Sequence, residues 1–346
     1  MDFKLKLINW YSVHKRNLPW RETKNPYYIW LSEIILQQTQ VKQGLPYYEA
    51  FVAQYPTIFD LAEASETSVL KLWQGLGYYS RARNLHTTAK HIVNELNGKF
   101  PDNYKDLLKL KGVGDYTASA ISSIAFNEVA AVVDGNVYRV LSRYFGIATA
   151  INSTVGIKEF KSLASTLIDT KQPATYNQAI MEFGAKQCKP KNPDCTICPL
   201  AASCVALQKN LVDSLPLKLK KTKVTKKYFN FLVCIDQNEN TLFEKRLGKG
   251  IWQNLYQFPL VESEKSLNAE EFHLLNFNNT FLKTIQFDHS LYNEIDIVHK
   301  LSHQHLYTKF WIIELDQLPK EAKPIKSLSK YPTPVLINDF INGFNF

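Results

Sequence analysis

The chain has 346 residues, more than one hydrophobic core usually serves, so two domains are expected. Hydrophobic residues make up 45% and no run reaches the ~18 apolar residues of a membrane span; both a disordered chain and a membrane-spanning helix are thereby excluded. The net charge of +9 suits a polyanionic partner, although a solvated basic surface gives the same number.

The opening residues Met1-Asp2-Phe3-Lys4 lack the apolar core of a signal peptide, so a cytoplasmic protein is expected. Residues 1–208 read as helical, cut into short pieces by Gly75, Gly77, Pro101, Gly112 and Gly114. After Pro26, the residues Trp30, Leu31, Ile34, Ile35 and Gln38 follow helical spacing, as do Val137, Val140, Leu141 and Tyr144 further on. Residues 209–227 hold seven lysines and one acid, Asp213, and read as a basic linker. From 228 to 346 the pattern is β-rich α+β. Phe229, Phe231, Val233 and Ile235 alternate along a strand, 236–240 form a polar turn, and Phe310 to Ile313 make another strand.

Four of the five cysteines crowd into Cys188-x6-Cys195-x2-Cys198-x5-Cys204. Four thiolates so close in a reducing compartment point to a metal centre rather than disulfides. An iron–sulfur cubane is favoured, since zinc knuckles usually pair two C-x-x-C units and only one is present. Cys234 is expected to be a buried strand residue.

Leu110-Lys111-Gly112-Val113-Gly114-Asp115-Tyr116-Thr117-Ala118 joins two helical segments. Gly112 and Gly114 permit a tight turn with close backbone approach, and the next helix offers its first amides to a phosphate. G-x-G alone would suit an ordinary turn between helices, but the leucine before it, Thr117-Ala118 after it and the cysteine cluster downstream favour a hairpin that holds DNA. The sequence leaves open whether this hairpin also holds a cation.

Two carboxyls stand out. Glu33 is a lone acid in Trp30-Leu31-Ser32-Glu33-Ile34-Ile35, where desolvation would keep it protonated. Asp134, in Val133-Asp134-Gly135-Asn136-Val137, precedes a helix as an N-cap would. Such a pair could divide the work of breaking an N-glycosidic bond: one protonates the leaving base, the other stabilises the sugar cation. Read alone, the first could be a surface glutamate and the second a plain cap.

Together these segments resemble the adenine DNA glycosylases, the MutY family. The likeness rests on Leu18-Pro19-Trp20-Arg21, Ser32 to Val41, Gly75-Leu76-Gly77-Tyr78-Tyr79, Gly112 to Ala118, Val133 to Val137 and the four cysteines. Gly250 to Pro259 resembles the start of a Nudix-like domain, and Glu262 to Phe272 lacks the arginine and paired glutamates of a Nudix hydrolase. The resemblance implies a mainly α helix–hairpin–helix glycosylase domain with an iron–sulfur loop (1–208, loop 188–204), the linker, and an α+β Nudix-like domain (228–346). It also implies one 4Fe–4S cluster on Cys188, Cys195, Cys198 and Cys204, a monomer, a nucleoid location and, as partner, duplex DNA with adenine opposite 8-oxoguanine.

The same resemblance implies roles. Glu33 and Asp134 are catalytic, with Asn136 and Tyr116 positioning the sugar and the carboxyls. Arg16, Trp20, Arg21, Leu36 and Gln178 line the adenine pocket. Gln38 and Tyr78 fill the space left by the flipped base, with Thr39, Leu76 and Gly77 near the opposite base and Gly112 and Gly114 on the backbone. Ser302 and His303, in His299-Lys300-Leu301-Ser302-His303, read 8-oxoguanine; Leu301 stands where phenylalanine is usual. Tyr116 takes the place of the lysine used by the related endonuclease III type, which implies base removal with little or no strand cutting, and Lys111 stands where proline is usual. The competing readings are an endonuclease III-type glycosylase–lyase and a non-catalytic iron–sulfur DNA-binding or redox-sensing protein.

Overall fold

A computed structural model describes residues 3–219, 224–277 and 280–346. The chain divides into two compact units: Met1–Glu63 with Asn84–Lys220, and Ala64–Arg83 with Lys221–Phe346.

In chain order the helices are α1 Phe3–His14, α2 Pro26–Leu36, α3 Val41–Gln54, α4 Ile58–Glu63, α5 Glu66–Leu72, α6 Ser80–Leu96, α7 Tyr104–Leu107, α8 Asp115–Phe126, α9 Gly135–Phe145, α10 Thr154–Leu167, α11 Pro173–Lys186 and α12 Val205–Gln208. Local chemistry explains the ends of the important ones. The Asn25 side chain accepts from Tyr27 N at 2.9 Å and Pro26 opens α2, where its missing N–H costs nothing. Helix α2 stops at Leu36, so Gln38, expected on it, sits beyond its end in a left-handed conformation (φ 55°). Gly146 closes α9 in the left-handed conformation that favours glycine.

Helix α11 packs against α1, α8 and α9, and α2 against α8. Leu7, Trp30, Ile35, Ile121, Val140 and Phe183 are buried in this unit. The basic stretch expected as a linker is built in at both ends. Arg143 Nε donates to the Leu215 carbonyl at 3.1 Å, Ile151 N to the Leu217 carbonyl at 3.0 Å, and Leu219 N to Asn152 Oδ1 at 2.8 Å. Thr225 already begins a strand; residues 220–223 lie outside the described residues.

Besides α5, the second unit carries β1 Thr225–Asp236, β2 Asn240–Thr241, β3 Glu244–Lys245, β4 Tyr256–Gln257, β5 Leu260–Ser263, β6 Asp288–Leu291, β7 Ile297–Lys300, β8 Gln304–Leu315, β9 Lys323–Pro324 and the helix α13 Val335–Gly343. The main sheet runs β6-β8-β1-β2-β9, with β5 on β1 and β7 on β8; β3 and β4 form a separate pair. Strands β1 and β8 are parallel and central, with Phe231 opposite Phe310. The alternation expected in β1 becomes continuous burial from Phe229 to Cys234, because both faces are covered. Phe340 of α13 stacks on Phe310 at 4.0 Å on one face. On the other, Leu232, Cys234 and Trp311 pack with Phe272 and Leu282.

Candidate active site and nucleic-acid interface

Glu33 points from α2 into the interior and is 8% exposed. Burial is the main reason its carboxyl is pushed up to about 7, and the Asp134 charge adds to it; the Tyr116 hydroxyl and Arg21 pull the other way. Asp134 caps α9. Its Oδ1 accepts from Asn136 N at 2.9 Å and Val137 N at 2.8 Å, and its Oδ2 from Asn136 Nδ2 at 2.7 Å. Burial leaves this carboxyl raised as well, and these donors and Arg139 offset part of that rise. The environments therefore differ as a divided acid and base require: a dry site for Glu33, a ring of donors for Asp134. Tyr116, from the first turn of α8, faces both carboxyls, and its hydroxyl oxygen lies 3.2 Å from Met181 Sδ.

Two residues not singled out in the sequence organise this site. Glu182, 1% exposed on α11, accepts from Arg16 N at 2.9 Å, Arg16 Nε at 2.8 Å, Arg16 Nη2 at 2.6 Å and Arg21 Nη2 at 2.8 Å. Burial alone would raise its carboxyl, but the arginines outweigh that and hold it at about 2. One helical turn earlier, Gln178 Oε1 accepts from the Tyr11 hydroxyl at 2.8 Å, and Arg21 lies 5.5 Å over the Tyr11 ring. Three expected pocket residues, Arg16, Arg21 and Gln178, thus meet on α11. A Gln followed four residues later by an acid, on one helix face, was the signal available for Glu182. Trp20 is buried edge-on against Tyr48 at 5.0 Å, and Leu36 lies against Gly44.

The second is Arg139. Its Nη2 donates to Asn136 Oδ1 at 2.9 Å and the Gly184 carbonyl at 2.6 Å, and its Nε to the Cys188 carbonyl at 2.7 Å. One guanidinium therefore ties the cap of α9 to the start of the cysteine loop. Buried Arg143 continues the tie, donating to the carbonyls of Lys189 at 2.7 Å and Pro190 at 3.1 Å.

Cys188, Cys195, Cys198 and Cys204 line one cavity together with Arg143 and Pro193. Burial chiefly, and then the other three cysteines, push the Cys198 thiol up to about 11. Among the described residues, no group of three or more His, Cys, Asp or Glu is arranged to hold a metal ion. Four thiols lining one cavity are a donor set that an iron–sulfur cluster can take. Cys234 is fully buried in β1, as expected.

The hairpin lies between α7 and α8. Gly112 needs its left-handed backbone (φ +82°), and a Cβ there would meet Asn84 at 2.9 Å. Gly114 differs: it is extended, caps α8, and a Cβ there would meet nothing within 4 Å. The first amides of α8 are left for an outside acceptor. Gln38 is exposed and Thr39 half-buried.

The remaining expected residues belong to the second unit. Gly75, Gly77 and Tyr78 are all left-handed (φ 96°, 75° and 46°), and Tyr78 is 50% exposed. Leu76, expected beside the opposite base, is buried at 5% exposure. Ser302 and His303 are exposed at the tip between β7 and β8, with Ser302 Oγ 3.3 Å from His303 Nδ1. Thr225 N, at the start of β1, donates to the His303 carbonyl at 3.1 Å and fixes the tip.

Residues 31–163 match the family described as HhH-GPD superfamily base excision DNA repair protein, and residues 230–343 match the NUDIX domain. The adenine DNA glycosylase of Buchnera aphidicola subsp. Baizongia pistaciae is 37% identical over 317 residues, covering 90% of this chain and 86% of the relative. That of Homo sapiens is 44% identical over 216 residues, covering 60% of this chain and 40% of the relative. Among solved structures, a thermostable thymine-DNA glycosylase is similar at TM-score 0.56 and 32% identity, over 60% of this chain and 95% of that one. A non-covalent endonuclease III–DNA complex is similar at TM-score 0.52 and 23% identity, over 61% of this chain and 99% of that one, a likeness of fold alone. No helix among the described residues is long and apolar enough to cross a membrane.

Proposed function

The chain belongs to the adenine DNA glycosylase family, and on that basis we propose that it hydrolyses the N-glycosidic bond of adenine paired with 8-oxoguanine or guanine in duplex DNA. The observation that carries this reading is the pairing of a buried Glu33, pushed up to about 7, with the capped Asp134. A duplex hides its bases, so adenine must be flipped out. Tyr78 and Gln38 take the vacated space. Gln178, Arg16 and Arg21, held on α11, meet the polar edges of the base, and Trp20 and Leu36 its faces. Protonated Glu33 gives its proton to the leaving adenine. Asp134, whose donors favour its ionised form, stabilises or briefly bonds the sugar cation, and Glu33, now ionised, activates water. Asn136 and Tyr116 hold the carboxyls and sugar in place.

Cys188, Cys195, Cys198 and Cys204 would hold a 4Fe–4S cluster, which when bound would brace the loop that carries them rather than perform the hydrolysis. Ser302 and His303 would read 8-oxoguanine through their hydrogen-bonding groups. Tyr116 offers no amine for a Schiff base, so strand cutting should be weak or absent. The test is an excision assay on an adenine:8-oxoguanine duplex beside a thymine-glycol duplex, with borohydride trapping. Release of adenine without a trapped adduct is expected. Excision of thymine glycol with strong trapping would overturn the reading.

A further inference from the structure

Residues 64–83 precede most of the helical unit in sequence, yet they cluster with the C-terminal sheet. Both ends of this segment are fastened to one loop, Trp252–Asn254. At the start, Glu66 Oε1 accepts from Asn254 Nδ2 at 2.8 Å and from Lys245 Nζ at 3.4 Å. At the end, Arg83 Nη1 donates to the Gln253 carbonyl at 2.8 Å. Between them, Gln74 Nε2 donates to Asn338 Oδ1 at 2.9 Å and the Tyr79 hydroxyl to the Thr333 carbonyl at 3.2 Å.

The turn carrying Tyr78 is itself braced. Trp73 Nε1 donates to the Gly77 carbonyl at 3.0 Å, and the Arg81 guanidinium lies 5.1 Å over the Trp73 ring and 5.7 Å over the Tyr78 ring. The Trp252–Asn254 loop also touches the hairpin that ends in Ser302 and His303, with the Trp252 and His299 rings 5.7 Å apart. Trp252 is left-handed (φ 60°), a conformation that persists in a bulky residue only where neighbours over-determine it; Asn254 (φ 65°) adopts it more readily. One strained loop therefore has the turn bearing Tyr78 on one side and the base-reading hairpin on the other.

We propose that this loop couples the two, with Glu66 and Arg83 as positioning residues: contact of the hairpin with the base opposite adenine governs how Tyr78 is presented to the duplex. The proposal rests on the reading of Tyr78, Ser302 and His303 given above. A shift of the hairpin is passed through His299 to Trp252, and the Gln253 carbonyl carries it to Arg83. Coupling through such packed networks changes a rate or affinity by roughly 2- to 30-fold.

The test uses the full chain and adenine opposite 8-oxoguanine or guanine. Arg83→Ala and Glu66→Ala are made alone and combined with Ser302→Ala plus His303→Ala. Single-turnover excision on both duplexes and 2-aminopurine fluorescence beside the adenine are recorded, with a melting curve for each variant. Arg83→Ala is expected to lower the rate ratio between the duplexes by roughly 2- to 30-fold and to weaken the fluorescence response. Arg83→Lys, which restores a donor, recovers part of the ratio. Added to the Ser302/His303 variant, Arg83→Ala causes no further loss. If Ser302→Ala plus His303→Ala lowers the ratio while Arg83→Ala and Glu66→Ala leave it unchanged, or if the losses multiply, the coupling is overturned and the site reading stands. If the Ser302/His303 variant keeps the full ratio, the reading of the hairpin fails, and the coupling with it.

Discussion

Gly184 packs so closely on Asn136 that a Cβ added to the glycine would lie 2.7 Å from the Asn136 Cβ and 2.9 Å from its carbonyl oxygen. This contact sets the distance between α11 and α9, hence between Gln178 and Glu182 on one side and the Asp134 cap on the other. Gly184→Ala should displace the start of α9. Overpacking of this kind costs about 1–3 kcal/mol, so the melting temperature falls by several degrees, and single-turnover excision falls by about tenfold or more. Parental kinetics in the alanine variant would show that the helices can part without cost to the site.

The pH dependence of Glu33 can be given a sign. Its carboxyl ionises near 4.5 when unfolded and near 7 when folded, so between these values the folded protein holds the extra proton. The contribution to stability is complete below about pH 4.5 and is lost as pH rises through about 7, on the order of 3 kcal/mol in all. Glu33→Gln removes that loss: melting at pH 8 should be higher than in the parent while excision is abolished and DNA binding is kept. Excision by the parent should also decline as pH rises past about 7. Turnover in the glutamine variant would remove Glu33 from the mechanism.

Glu182 behaves in the opposite sense. Held at about 2 by Arg16 and Arg21, it stabilises the fold above its ordinary carboxylate range, and that support is lost as pH falls towards 2. Glu182→Ala leaves two arginines beside an emptied site, a change that typically costs about 3–5 kcal/mol when a buried pair loses one partner. Denaturant unfolding at pH 7 should show that loss, and adenine excision should fall with it.

Replacing Cys198 by Ser removes one of the four sulfurs lining the loop cavity. The purified parent should contain about four irons per chain, with broad visible absorption, and the serine variant far less. Zinc in place of iron would refute the cubane assignment.

Ser302→Ala plus His303→Ala should weaken the preference for 8-oxoguanine over guanine while leaving excision opposite guanine nearly as fast. Each lost hydrogen bond to a neutral group is worth about 0.5–1.5 kcal/mol, so the combined loss is on the order of tenfold in the rate ratio. An unchanged ratio on the two duplexes would remove these residues from base reading.

Local features were legible in the sequence. The cysteine spacing, the glycines of the hairpin and the apolar setting of Glu33 each act through near neighbours, and periodicity records near neighbours. What was not legible depends on contacts made far along the chain. Glu182 reaches Arg16 across 166 residues, and Arg139 reaches Cys188 across 49. The joining of residues 64–83 to the C-terminal sheet leaves no local mark either. Leu76 is apolar enough to be core or contact surface, and only packing decides that it is buried. Gln38 followed helical spacing, yet a left-handed residue past the end of α2 removes it from that face.

Gly114 separates two kinds of damage that are usually seen together. Its backbone is one that any residue can adopt, and a methyl group there would meet only empty space. An alanine at this position would fold, melt and purify like its parent, and a screen for stability would pass it as neutral. The added group would be felt only when another molecule comes to lie against the hairpin, so a harmless-looking variant here can be wholly defective in a cell.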